Sequence, residues 1–567
     1  ILVFKGVYGM NQENVRRSTF IPSDVYFARM YKSRGNIYSQ RRQTQTLEAM
    51  LSFSKYMFNF VQVDAMAGMG KYLESNEGYG ISYEDTHDMI NEHDISSAKG
   101  KIYPTSHTLK NEKRSQFFKL SFDVLDRYVI SATLRRDGTD KFFPGKKYAL
   151  FPSVSAAWKI SNEKFLKDVF WINLLKLRAS YGKTGQDNLG SSLYGVYEPS
   201  GFKVGFNDNG LFYVPCVSMG TNYPDVSWQK TIMKNIGLDF YLFKNRVSGS
   251  IDVFRNDVTS LLGYASTSPL AIYPTRPING GHFYRQGWEI MLDTKNMVGD
   301  FNWNTQLTFS KTNSFWKERM PNYDYRSYQK RNKEPMNAYY YYKMTGIINA
   351  DRSNMPESQK TLQAEAQLPG CPIIDDKNND GKIDENDIYL KDNTPDIYIG
   401  FGNTFTYKNW EFSFFMYGQF GILKSNIAYR AALPGPLAVD YPENTNKYAY
   451  LLWNSQTNPN GTRPGLAVDR MGALPGGAGV NIDMENASFV RMRNITLSYN
   501  FRDKILGKLK KYVKGIKVYA DVQNPFVISK FKGFDPEIYT GGGGANNASR
   551  GEYPQARTFT LGTNIVF

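Results

Sequence analysis

The sequence predicts an all-β chain folded as a transmembrane antiparallel β-barrel. Three observations predict it. Apolar and polar residues alternate with period two in segment after segment, so one face of each strand meets an apolar medium and the other meets water. Many of these segments run about nine to eleven residues, the length a tilted strand needs to cross a bilayer, whereas sandwich strands average about five or six. Tight turns alternate with very long connections, the asymmetry of barrels that place short turns in the periplasm and long loops outside the cell.

Taken in order, the pattern gives about sixteen strands, an even number as single-chain bacterial barrels have. They start near residues 1, 44, 58, 115, 128, 151, 174, 231, 247, 286, 301, 397, 410, 489, 516 and 557. The clearest is 301–310, where Phe301, Trp303, Leu307 and Phe309 are apolar and Asn302, Asn304, Gln306 and Thr308 are polar. Phe118, Leu120 and Phe122 repeat the alternation, as do Leu175, Leu177 and Tyr181, and Phe559, Leu561, Ile565 and Phe567 close the chain with it. Short reversals fall at 126–127, 244–246, 296–300 and 408–409. Long connections span 183–230, 258–285, 311–396, 421–488 and 528–556, of which 311–396 and 421–488 are the most extensive extracellular loops. The strands near 301 and 397 must run in opposite directions across one outer loop, so the run YYYYKMTG at 339–346 belongs to that loop or pairs within it. Tyr128, Trp158, Tyr181, Trp288, Trp303, Tyr407 and Trp410 lie near strand ends, where interfacial aromatic girdles form.

Composition bounds the function. The 567 residues are 22% charged and 15% aromatic, and mean hydropathy is −0.49. No stretch approaches the roughly 18 consecutive apolar residues of a membrane helix, which leaves strands as the means of crossing. The net charge of +16 is spread along the chain without a long Lys/Arg run, so no nucleic-acid partner is expected. The two cysteines, Cys216 and Cys371, exclude a disulfide-dense scaffold and either pair or remain thiols. The histidines lack zinc spacing, no Gly-rich phosphate loop opens a helix, and no nucleophile is spaced from a base, so no enzyme is expected.

Several strings resemble recurring segments of the SusC/RagA family: LRRDGT (134–139), LFPSVSAAW (150–158), LRASYGKTG (177–185), VSGSID (247–252), SFVRMRN (488–494), VYADVQN (518–524) and YPQARTF (553–559). They follow family order from about residue 115 to the last residue, while 1–110 match only as generic barrel. The resemblance implies a TonB-linked transporter of the outer membrane of Bacteroidota-type bacteria, embedded in lipid as a multi-pass barrel. It implies a SusD-like lipoprotein lid that closes over an oligosaccharide or oligopeptide. Plugged transporters have about 22 strands, so these sixteen are expected to be the C-terminal part of a larger barrel. The first strands, the plug, the N-terminal domain and the TonB contact are then expected from the rest of the transporter, as one protein or as a separate chain. The residues alone also leave room for a passive sixteen-stranded porin, or for a surface adhesin or assembly subunit anchored by its barrel.

The most specific local motif is DKNNDGKIDEND at 376–387. Asp376, Asn378 and Asp380 fall at positions 1, 3 and 5 of a calcium loop, Gly381 at the turn, the Lys382 carbonyl at 7, Asp384 at 9 and Asp387 at 12. Hard oxygen donors at this spacing wrap one Ca²⁺, here in a structural role within the 311–396 loop. Asp at position 12, in place of the usual Glu, has the shorter arm. Substrate contacts are expected from loop aromatics, Trp316, Tyr339 and Tyr340 foremost, and from inward polar residues such as Tyr417 and Arg493. Asp123, Arg178, Asp239, Asp252, Glu289, Glu411, Gln419 and Asp521 share that inward face.

Overall fold

In a computed structural model of the chain, the alternating segments become one sixteen-stranded antiparallel sheet in which successive strands are hydrogen-bonded neighbours. The structure describes all residues except 24–32, 86–94, 190–196, 201–204, 208–209, 213–215, 220–222, 268–274, 322–324, 330–332, 427–446, 466–470, 502–506, 508–511, 534 and 538–554. The strands are β1 (Leu2–Ile21), β2 (Arg34–Met57), β3 (Val61–Glu84), β4 (Ile102–Val124), β5 (Tyr128–Thr139), β6 (Tyr148–Lys159), β7 (Ile172–Gln186) and β8 (Gln229–Leu242). They continue as β9 (Val247–Thr259), β10 (His282–Met297), β11 (Phe301–Glu318), β12 (Ile397–Tyr407), β13 (Trp410–Phe420), β14 (Phe489–Phe501), β15 (Gly515–Ser529) and β16 (Thr558–Val566).

Register exposes the reason for the alternation. One row crosses six strands as Trp158, Leu177, Leu238, Ile251, Ile290 and Phe309, each opposite the next. The next row toward the long loops reads Ala156, Ala179, Ile236, Val253, Trp288 and Lys311. Ile236 and Val253 stay 61% and 57% exposed, which is tolerable only against lipid. The residues between these rows carry the polar side chains and face the lumen. On the short-turn side the reversals are tight because residues adopt left-handed backbone, as at Leu125 (φ 56°) and Asp126 (φ 52°), the geometry of two-residue hairpin turns.

Three boundaries differ from expectation. β2 and β4 begin at Arg34 and Ile102, well before the expected 44 and 115. Their first halves are polar on both faces, so backbone pairing continues above the apolar band without any period-two signal. β11 runs through Glu318, so 311–318 is strand and the outer loop starts at 319. Among the described residues, β1 pairs only with β2 and β16 only with β15, so the sheet has two open edges.

The two largest loops fold together beyond the rim. Ala338–Tyr342 pairs with Tyr389–Asp392 and with Gly479–Val480, so the tyrosine run does pair within the loops. Tyr342, Ile348, Cys371 and Ile388 lie fully buried in the core beneath. Cys371 is a free thiol there, and burial pushes its pKa up to about 11.

Candidate functional site

The upper lumen holds the most developed site. Even-numbered residues of β11 point inward, which lines up the hydroxyls of Thr308, Ser310, Thr312 and Ser314 along one strand. With Arg285 from β10, Tyr398 from β12 and Tyr417 from β13 they border a cavity of about 660 Å³, roofed by Met336, Asn337 and Thr394 from the loop domain. Arg285 Nε donates to Ser314 Oγ at 3.2 Å, and Gln419 Nε2 donates to the Tyr417 hydroxyl at 2.7 Å. Gly400 keeps the wall open: a Cβ there would stand 2.4 Å from Thr308 Oγ1. The arrangement offers rings for stacking and hydroxyls that both donate and accept, without a nucleophile beside a base.

Of the residues singled out in the sequence, Tyr417 and Arg493 come together, the Arg493 guanidinium lying 5.2 Å from the Tyr417 ring centroid. Arg493 is also ion-paired to Glu537, which holds it in place. Trp316 is a β11 residue rather than a loop residue, packed edge-on to Phe283 at 6.0 Å with Arg319 over its ring at 5.0 Å. Tyr339 stacks on Tyr341 at 5.0 Å and Tyr340 donates its hydroxyl to Glu334, so both rings belong to the packing of the loop domain. Burial, reinforced for Tyr340 by Glu334, raises the pKa of each.

Several of the other inward charges are paired. Arg178 donates to Asp239 and to Asp252, each at 2.9 Å, and Glu289 stands opposite Asp252. Lys159 pairs with Asp123 and Lys517 with Glu411, both at 3.0 Å, while Thr496 donates to Asp521.

The acidic loop closes on itself. Asp376 accepts from the N–H groups of Asp380 (3.2 Å) and Gly381 (2.9 Å), and Asp380 from that of Lys382 (3.0 Å). Gly381, at φ 82°, makes the turn a side chain would strain. Asp384 caps the short 3₁₀ helix Glu385–Asp387. Asp387, fully buried, accepts from Lys377 and Asp384 N–H. Among the described residues no three acidic, His or Cys side chains converge as a metal-binding group. The donors are nonetheless all oxygen, and a carboxylate oxygen that accepts one N–H keeps a second lone pair.

The family described as "TonB dependent receptor-like, beta-barrel" matches residues 4–525. The chain belongs to this family. It is 29% identical over 498 residues to the TonB-dependent receptor SusC of Bacteroides thetaiotaomicron, covering 84% of this chain and 45% of that protein. It is 26% identical over 599 residues to TonB-dependent receptor P3 of Formosa agariphila, covering 100% of this chain and 56% of that one. Among solved structures, that of the RagAB peptide transporter superposes with a TM-score of 0.79 at 20% identity, over 100% of this chain and 60% of that chain. The SusC/RagA resemblance of the strand segments stands with these matches, and the chain spans about half the length of the curated relatives. TonB-dependent receptors are outer-membrane proteins and not enzymes, which places the apolar rows in the outer membrane with the loop domain beyond the long-loop rim.

Arg285, Tyr398 and the β11 hydroxyls were missed in the sequence. The signal was there: Thr308, Ser310, Thr312 and Ser314 repeat at period two, but reading 311 onward as loop cut the series in half.

Proposed function

We propose that this chain forms most of the wall and the outer mouth of a TonB-dependent importer for an oligosaccharide or oligopeptide. The observation that carries this reading is the hydroxyl- and tyrosine-lined cavity under the folded loops, large enough for a few sugar or amino-acid units and placed where a solute enters the lumen. The open edges of β1 and β16 support a larger barrel, since unpaired strand edges do not persist in hydrocarbon. They speak against a passive porin made of these sixteen strands alone. The remaining strands and the plug come from the rest of the transporter, TonB acts through that plug, and a SusD-like lipoprotein closes over the loop domain. The likeness to the RagAB peptide transporter supports a peptide as cargo. The 376–387 loop holds one Ca²⁺ through Asp376, Asn378, Asp380 and the Lys382 carbonyl, with Asp384 and Asp387 closing it.

The test is uptake by cells of the source type carrying or lacking the gene, offered fluorescent oligosaccharides and fluorescent oligopeptides in parallel. TonB-dependent entry of one class, lost with the gene, is the expected result. Entry that persists without TonB would overturn import in favour of a pore, and attachment lost without any change in entry would favour an adhesin.

A further inference from the structure

The outward face of the barrel carries a second site. On β6 to β11 the row Ala156, Ala179, Ile236, Val253, Trp288 and Lys311 is apolar until its last member. One residue pair further toward the long loops, Lys234 stands directly opposite Arg255. The two alanines leave a hollow beside the bulk of Ile236 and Trp288. That hollow is part of a groove of about 960 Å³ whose lining includes Lys234, Arg255 and Lys311. Successive same-face residues on a strand are about 7 Å apart, so the groove passes from apolar floor to cationic rim within one step.

The cations are held rather than splayed. Asp257 lies 3.3 Å from Arg255 and 3.8 Å from Lys234, and the Arg255 guanidinium sits 4.1 Å from the Tyr284 ring centroid. Two positive groups, Lys234 and Arg255, share this single carboxylate, which His282 Nε2 also approaches at 3.6 Å. The heads of Lys234 and Arg255 remain 55% and 43% exposed, so they retain donors for another partner. Cations on a merely solvated strand end need no hollow beneath them. Here an apolar slot and a preoriented cationic rim adjoin at the upper edge of the apolar band, on the side facing the outer leaflet.

We propose that this groove binds a phosphorylated lipid of the outer leaflet, of lipid A type, with an acyl chain over Ala156 and Ala179 and the phosphate between Lys234, Arg255 and Lys311. Arginine and lysine together are suited to a phosphate, the first by its fork of donors and the second as a point charge. Basic pockets at the headgroup level of a membrane protein select anionic lipids on the same grounds. The site is separate from the lumen and does not depend on what is imported.

The test uses the full-length transporter purified in mild detergent and placed in phosphatidylcholine nanodiscs. The added probe is phosphorylated lipid A, the same lipid with its phosphate removed, or inorganic phosphate, and native mass spectrometry reads the bound mass. Wild type should retain one phosphorylated lipid. The triple variant Lys234→Gln, Arg255→Gln, Lys311→Gln should lose about 100-fold in apparent affinity, roughly fivefold per cation removed. Ala179→Trp, which fills the slot and leaves every charge, should also release the lipid. Unchanged heat-modifiability on gels shows that each barrel is folded. Equal retention of the dephosphorylated lipid, retention by the folded triple variant, binding of inorganic phosphate in place of lipid, or a second protein copy on this face would overturn the proposal.

Discussion

Arg491 on β14 and Asp535, in the segment leading back to β16, meet at 2.5 Å with only 3% and 5% of their side chains exposed. Glu537 adds a second carboxylate 2.6 Å from Arg491 Nε, though without hydrogen-bond alignment, and is itself paired to Arg493. The cluster therefore straps the returning loop against the lumen wall next to Tyr417. Removing one member of a buried pair strands the other charge. Asp535→Ala should lower stability by about 3–5 kcal/mol, whereas the double change Arg491→Met with Asp535→Leu should cost much less. Chemical unfolding of the purified transporter, followed by heat-modifiability, measures both. Equal losses in the single and double variants would show that the strap acts through packing alone.

The alternation was the legible part of this chain, because lipid imposes it: 301–310, 397–407 and 557–567 declare themselves by apolar residues every second position. What sat outside lipid was harder to read. The polar first halves of β2 and β4 are held by backbone pairing to their neighbours, which leaves no period in the side chains. The tyrosine run was correctly assigned to the loops, but its partners at 389–392 and 479–480 are distant in sequence and carry no pairing signal. Within the site, Tyr417 and Arg493 were visible as inward positions. Their contact depends on register between β13 and β14, including a shift at Phe415/Met416 that no pattern announces.

Tyr417 offers its ring to the cavity and has Gln419 on its hydroxyl and Arg493 on its face. An aromatic contact is worth about 0.5–1.5 kcal/mol beyond burial, or roughly 2–13-fold in binding. Tyr417→Ala should therefore raise the half-saturation concentration for uptake by that factor, and Tyr417→Phe by less. Uptake kinetics in whole cells supply the measurement. A change in maximal rate with unaltered half-saturation would place Tyr417 in gating rather than in recognition.

The two faces of one strand should respond oppositely to the same substitution. Ile251 lies in the apolar row of β9, and Ser250 beside it faces the lumen opposite Asp239. A lysine at a lipid-facing position near the midplane costs about 2–4 kcal/mol. Ile251→Lys should lose that much folding stability, whereas Ser250→Lys should be nearly neutral because it meets water and a carboxylate. Equal destabilisation by both would refute the assigned facing of β9.

In the loop domain the Tyr389 hydroxyl donates to Asp375 at 2.6 Å, with Lys343 3.1 Å away. The Tyr389 hydrogen bond, opposed by burial and aided by Lys343, holds the Asp375 carboxyl below its ordinary 3.8. The same hydrogen bond, then burial, pushes the Tyr389 phenol up from 10.0 to about 12. A depressed carboxyl stabilises the fold above its unfolded value and loses that contribution as pH falls through the folded one. A raised phenol stabilises below its unfolded value and loses that contribution as pH climbs toward about 12. The stability gap between wild type and Tyr389→Phe should thus be widest between about pH 4 and 10 and shrink at either end. Pulse proteolysis of the loop domain across pH follows it; a gap independent of pH would mean the ring, not the hydrogen bond, is what matters.

Calcium gives the loop domain its own assay. A cation that binds only the folded loop adds about 2.7 kcal/mol when present at 100 times its Kd. Extracellular calcium modules bind at roughly 10⁻⁴–10⁻³ M, so the excess must be generous. Unfolding of the loop domain should move to higher temperature in calcium and fall back with chelator. Asp376→Asn and Asp380→Asn should erase the difference. The chelated baseline should drop by only about 1 kcal/mol in Asp376→Asn, whose single amide oxygen keeps one of the two N–H bonds that the separate Asp376 oxygens accept from Asp380 and Gly381. A calcium response that survives both substitutions would locate the cation elsewhere. No response in wild type would leave 376–387 as a turn closed by its own backbone, with Asp387 serving only to accept from Lys377 and Asp384.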